Sequence, residues 1–309
     1  MRARFTSSLV VCVVCCAIQV AAQRPADHHA DLQGFWTNGT ATPLQRPPQF
    51  KDKPVLTAEE AGAYEKGGLE RLLSSIPEED RIGADLNDIY LETSHMKLVD
   101  GRRTSLIVDP PDGRLPPLLP DAEKRAAARK RSYDDPETFS LDERCLLGTA
   151  TGSSQVGAPI VPNSFALNYY QIVQTPEHVA IYTEVNHDTR IIRIGGQHPA
   201  SNVQFWLGDS IGRWEGDTLV VDTTNFTPKS HFRGSSERMH VVERFRRADA
   251  NTIDYHVTVE DPDTWGRAWT AEIPFKATHH PVFEYACHEG NYSMELTLRG
   301  QRAQEKERK

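Results

Sequence analysis

"MHVVERFRRADANTIDYHVTVE" runs from Met239 to Glu260, and its alternation decides the fold. Two runs rich in β-branched residues flank the turn formers "ADAN" (Ala248–Asn251), which is the pattern of a β-hairpin. Setting Arg244 opposite His256 sorts the hairpin into two faces. Arg246 then faces Asp254 and His240 faces Glu260, so one face is wholly polar. Opposite charges meet across it, each pair favouring this register by about a few tenths of a kcal/mol. The other face sets Met239, Val241, Glu243 and Phe245 against Ile253, Tyr255, Val257 and Val259. A one-residue slip would move every apolar side chain to the wrong side.

The same period extends in both directions. "HVAIYTEV", "RIIRI", "TLVVDTTNF", "WTAEIPF", "VFEYA" and "SMELTL" follow one another from about residue 171, with earlier strand-like runs at 32–37 and 104–109. No helix joins a pair of neighbouring parallel strands. The expected fold is mainly β, an antiparallel β-barrel or sandwich with a helical, loop-rich N-terminal insertion. In this reading 23–309 forms one β-rich domain. Residues 43–165 are its proline-rich and helical insertion, 166–300 its β-meander core and 301–309 a charged tail. Within the insertion, "PLQRPPQFKDKP" (Pro43–Pro54) is an extended connector. Thr57 and Glu60 form a capping box ahead of a helix expected over 58–74, which Gly67 and Gly68 weaken. "DAEKRAAARKR" (Asp121–Arg131) is expected as a helix capped by its aspartate.

The N-terminus carries Arg2 and Arg4, an apolar run from Leu9 to Ile18, and then "QVAAQ". That order is a secretory signal peptide over 1–22, cleaved near Ala22, so the protein is expected in the periplasm or secreted. The run is shorter than the roughly 20 residues a spanning helix needs, and no stable membrane insertion is expected. Cleavage leaves Cys145 and Cys287, which should pair in an oxidising compartment. With 35 Lys and Arg against 43 Asp and Glu the chain is acidic, net −8. Nucleic acid is therefore not an expected partner; a small molecule is.

Glu243 is the exception on the apolar face. Either it pairs with a buried arginine, with Arg190, Arg193 and Arg213 as candidates, or it is a general acid or base in a ligand cavity. The second candidate is "EVNHDTR" (Glu184–Arg190). His187, Asp188 and Arg190 there are either an ordinary solvated turn or a rim over a barrel mouth, where a carboxylate orients an acid–base imidazole. His240, His288, Glu289 and Trp214 are further candidates for ligand contact. Neighbours on a strand point to opposite faces, so His288 and Glu289 serve one ligand only if the chain turns at Gly290. Asp222, inside an apolar strand, reads as a hydrogen-bond anchor. The sequence has no HExxH, no GxSxG, no P-loop and no dinucleotide fingerprint, and neither a metal nor a cofactor is expected.

"GRWEGDTLVVDTTNF" (212–226), "FRGSSERMHVVERF" (232–245), "VEDPDTW" (259–265), "YACHEGNY" (285–292) and "RTSLIVDPPDGRLPPL" (103–118) resemble the motifs of a family of exported bacterial β-rich proteins of uncharacterised activity. The resemblance covers about residues 30–303. It implies a secreted, β-rich domain and assigns no catalytic residue. "GFWT" (Gly34–Thr37) is also similar to the Gly-x-Trp that opens lipocalin-like barrels, which favours barrel over sandwich. Two function classes follow. One is an exported enzyme that acts on a small molecule in a barrel cavity by histidine–carboxylate chemistry, as a lyase, isomerase or hydrolase. The other is a non-catalytic, lipocalin-like carrier of a small amphipathic ligand. Titratable groups converging in a pocket mark the first; an almost wholly apolar pocket marks the second.

Overall fold

The period-two pattern of the hairpin is repeated until the sheet meets itself. The computed structural model describes residues 29–68, 70, 96–129, 134–141, 143–147, 157–162 and 168–307; the expected signal peptide lies outside them. The strands are β1 (Gly34–Thr37), β2 (Ile107–Asp109), β3 (Tyr169–Gln174), β4 (His178–Thr183) and β5 (Thr189–Ile194). They continue with β6 (Asp209–Glu215), β7 (Thr218–Thr224), β8 (His240–Asp249), β9 (Thr252–Glu260) and β10 (Trp269–Ala277). From β3 to β10 each strand pairs with the next, β1 pairs with β3, and β1 also pairs with the end of β10 through Trp36 and Ala277. Nine strands thus close a barrel. β2 joins the other end of β10 beside a bulge at Thr270–Ala271, covering the edge that β1 leaves open.

The β8–β9 register is the expected one, with Arg244 opposite His256, Arg246 opposite Asp254 and His240 opposite Glu260. The turn is tighter than expected. β8 runs on to Asp249 through a bulge after Arg247, and only Ala250 and Asn251 remain between the strands. The bulge absorbs the extra residue. Among the named strands every pairing is antiparallel except β5 with β6, where Ile192 lies beside Ser210. Parallel neighbours need a crossover, and residues 195–208 supply one without a helix.

The inner face is filled by Trp36, Tyr170, Phe245, Tyr255 and Phe275, all fully buried. Each contributes about 2–3 kcal/mol of burial. Phe245 and Tyr255 meet at 4.7 Å between ring centroids, and Tyr255 meets Phe275 edge-on at 5.5 Å.

Outside the barrel, α1 (Ala58–Lys66) carries the expected capping box of Thr57 and Glu60 and stops at Gly67. Beyond that cap Gly68 and Glu70 are again helical, and residues 69 and 71–74 of the longer helix expected over 58–74 lie outside the described ones. In α2 (Pro120–Ala128) Leu119 takes the cap position, and Asp121 sits in the first turn instead, paired with Lys124. The last two strands expected are absent. "VFEYA" is irregular, and "SMELTL" opens α3 (Ser293–Glu307), which also takes in most of the expected tail. Six residues with apolar alternation were too few to separate strand from helix. Over fifteen residues Glu, Leu, Arg, Gln, Ala and Lys favour helix, and Glu295 pairs with Arg299 one turn on. The meander therefore ends at Ala277. Cys145 and Cys287 form a disulfide, with Cα atoms 5.7 Å apart. It ties the middle of the chain to the loop before α3, not to a strand. Among the described residues no helix is long and apolar enough to cross a membrane.

Candidate functional site

Three polar clusters could carry function, and the strand register places each. The first is inside. Glu243 and Arg190 both turn inward, from β8 and β5, and neither side chain is more than 2% exposed. Arg190 Nη1 donates to Glu243 Oε1 at 2.9 Å, and Nη2 donates to Oε2. Its Nε donates to Ser210 Oγ at 3.0 Å and its Nη2 to Thr223 Oγ1 at 2.8 Å. The Tyr255 hydroxyl donates to Glu243 Oε1 at 2.8 Å and accepts from Ile160 N at 2.9 Å. Burial works against the charge on Arg190, but the carboxylate of Glu243 outweighs it and raises the arginine above its ordinary range. Burial, then the charge of Glu243, pushes Tyr255 well above the ordinary tyrosine value. Of the cations considered, Arg190 is the partner; Arg193 binds Asp209 and Arg213 binds Glu215. The cluster has the partners a buried ion pair requires.

The second cluster is at the barrel end where β4 runs into β5. The 3₁₀ turn Val185–His187 puts His187 in the left-handed region, φ 45°, with an exposed side chain. Asp188 is half-buried and alternates onto the inner face with Arg190. Its backbone carbonyl accepts from Thr183 N at 3.0 Å, which continues the β4–β5 register. Burial raises its carboxyl to about 6, against a smaller lowering by His187. Asp188 Oδ2 has no hydrogen-bond partner among the described residues, and the same holds for Thr183 Oγ1 and for both amide atoms of Asn38.

The third cluster is on the outer wall, where the crossover 195–208 passes over the sheet. His198, on that crossover, lies between two carboxylates. Its Nδ1 is 2.7 Å from Asp209 Oδ2 and its Nε2 is 3.1 Å from Asp222 Oδ1. His240 approaches the other oxygen of Asp222 through Nε2, at 2.9 Å. Arg193 clamps Asp209 with two bonds of 2.9 and 3.0 Å. The result is a continuous line, Arg193–Asp209–His198–Asp222–His240.

The crossover is held in place by its surroundings. Asn225, at φ 58°, donates from Nδ2 to the carbonyls of Pro199, Ala200 and Val203. Gly208 ends the crossover at φ +72°, and a Cβ there would lie 2.7 Å from Phe226, so no other residue fits. Val203, Phe205 and Trp206 on the same segment are exposed.

Glu243, Asp188 and Arg190 thus belong to the barrel interior and its mouth, with His187 at the rim. His240 belongs to the outer wall. Trp214 packs on the core near the end of β6 and stacks on His29 with ring centroids 4.7 Å apart. His288 and Glu289 are exposed beside Gly290, at φ 72°, and join none of the three clusters. Another imidazole, His256, lines a cleft of about 340 Å³ with Arg103 and Glu272. Its Nδ1 is 3.6 Å from Glu272 Oε1, beyond hydrogen-bond length.

His198 and Asp209 were not singled out from the sequence. Asp209 shares its outward parity with Asp222 once β6 and β7 are paired, but nothing local marks His198. Among the described residues no three His, Cys, Asp or Glu side chains are arranged to hold a metal ion. No family model matches the chain, and no curated protein matches it.

Proposed function

We propose that this chain is an exported enzyme that acts on a small molecule by histidine–carboxylate acid–base chemistry, with His240 as the reacting group. One observation carries the reading. His240 Nε2 is fixed on Asp222, while Nδ1 has no hydrogen-bond partner among the described residues on a side chain 37% exposed. A carboxylate that accepts the Nε2 proton leaves the Nδ1 lone pair open, as a general base requires. When Nδ1 takes a proton, the new charge lies against Asp222. His198 supports Asp222 from the other side, Asp209 supports His198, and Arg193 balances Asp209. The reacting face is then the outer wall and not the barrel interior, where Glu243 is already committed to Arg190. A lyase, an isomerase or a hydrolase would each begin with this proton abstraction. Export rests on the signal-like N-terminus and on the Cys145–Cys287 disulfide.

The test is turnover by the full mature chain across esters, lactones and enolisable carbonyl compounds, from pH 5 to 9. His240→Gln should lower turnover by about 100-fold or more with its melting temperature unchanged, and Asp222→Asn should shift the pH profile. A wild-type protein inert across that panel, or a His240→Gln variant of full activity, overturns the reading.

A further inference from the structure

We infer that the barrel mouth lined by Asn38, Thr183 and Asp188 is a second site, separate from His240, which binds a small, neutral, hydroxyl-rich molecule. The register sets these side chains on the inner face at one end of the barrel, Thr183 beside Asp188 and Asn38 two strands away. Trp36 lies opposite Tyr170, Tyr170 opposite Thr183, and Thr183 N bonds to Asp188 O. That makes one row across β1, β3, β4 and the start of β5, facing inward. Asn38 follows Trp36 by two residues on the same face, and its N donates to Asn168 O. Asn38 and Thr183 are each only 1% exposed.

Buried polar atoms without partners are few in native proteins and costly to keep. Here four of them, Asn38 Nδ2 and Oδ1, Thr183 Oγ1 and Asp188 Oδ2, gather at one end of one barrel. Their chemistry selects the ligand. Asn38 Oδ1 and Asp188 Oδ2 need donors, Asn38 Nδ2 needs an acceptor, and Thr183 serves as either. An anion is disfavoured by the Asp188 carboxyl, and Arg190 nearby is already engaged by Glu243, Ser210 and Thr223. An ammonium ion would leave Asn38 Nδ2 facing another donor. A hydroxyl both donates and accepts, so a polyol or sugar meets every requirement.

The probes are glycerol, xylitol and glucose, titrated into the full mature chain by calorimetry, with intrinsic tryptophan fluorescence as a second readout. At least one should bind with a stoichiometry near one. Thr183→Val keeps the volume and removes the hydroxyl; it should weaken binding by about tenfold and leave the melting temperature unchanged or higher. His240→Gln should bind as the wild type does, which separates this site from the catalytic reading. Three outcomes would overturn the inference: no binding of any probe, binding that Thr183→Val and Asn38→Leu both leave intact, or a polyol-soaked crystal with only ordered water at the three side chains.

Discussion

Arg190 and Glu243 meet in the barrel interior through two parallel N–H···O contacts, with water excluded from both. Removing one partner leaves the other as an uncompensated buried charge. Glu243→Gln should therefore destabilise the fold by about 3–5 kcal/mol, read as a lower urea midpoint. Replacing both, as Arg190→Met with Glu243→Leu, should recover most of that loss. A Glu243→Gln protein of unchanged stability contradicts the pairing.

The hairpin that contains Glu243 was legible because both of its strands are long and its period is two. Val241, Phe245, Tyr255 and Val257 sort to one side in only one register. The identity of the arginine was not legible. Arg190, Arg193 and Arg213 all stand in strands, and the choice depends on how β5 is brought beside β6 and, through β7, to β8. That arrangement depends on a non-helical crossover, which leaves no local period. His198 was hidden for the same reason: Asp209 and Asp222 come side by side in the β6–β7 hairpin, but His198 reaches them only after the crossover folds back. At the C-terminus the failure was one of length: Ser293–Leu298 alternates briefly and then continues as helix.

α3 has no buried residue, and the disulfide precedes it by six residues in the chain. Arg302 also reaches Asp134 O, at 2.7 Å. A loop of 142 residues is closed by the bond, a constraint of roughly 4–5 kcal/mol on the unfolded chain in the entropy model. Cys287→Ser should lower the unfolding midpoint and expose 278–307 to limited proteolysis while the β-sheet signal in circular dichroism persists. Peptide mapping without reductant should recover Cys145 and Cys287 in one linked pair. Two free thiols in the native protein contradict it.

His231 is largely buried, its Nδ1 accepts from Gly234 N at 3.2 Å, and burial, aided by the charge of Arg129, lowers it to about 4. The unfolded chain takes up this proton near pH 6.5, before the folded one does. Stability from this group is thus present above pH 6.5 and is lost as pH falls towards 4. The loss is about 2 kcal/mol once partial exposure is allowed for. His231→Gln retains an acceptor for Gly234 and should flatten urea midpoints over that interval. A variant whose midpoints fall as steeply as those of the wild type shows that His231 does not cause the acid loss.

Asp188 has the opposite sign. Its carboxyl titrates at about 6 in the folded protein, from an ordinary value of 3.8, because burial disfavours the charge. Between those values the folded state holds the proton and the unfolded state has released it, so stability falls as pH rises from about 4 to 6. Above pH 6 the full penalty remains, about 1–2 kcal/mol after discounting for the exposed part of the side chain. Asp188→Asn removes the ionisation and keeps the shape. It should leave stability at pH 4 unchanged and raise it by that amount at pH 7, as measured by urea unfolding at the two pH values. The bond from Thr183 N goes to the Asp188 backbone and survives the substitution, so the strand junction is undisturbed. A loss of stability at pH 7 would mean that the carboxylate has a stabilising partner, in conflict with the unpaired Oδ2 at the mouth.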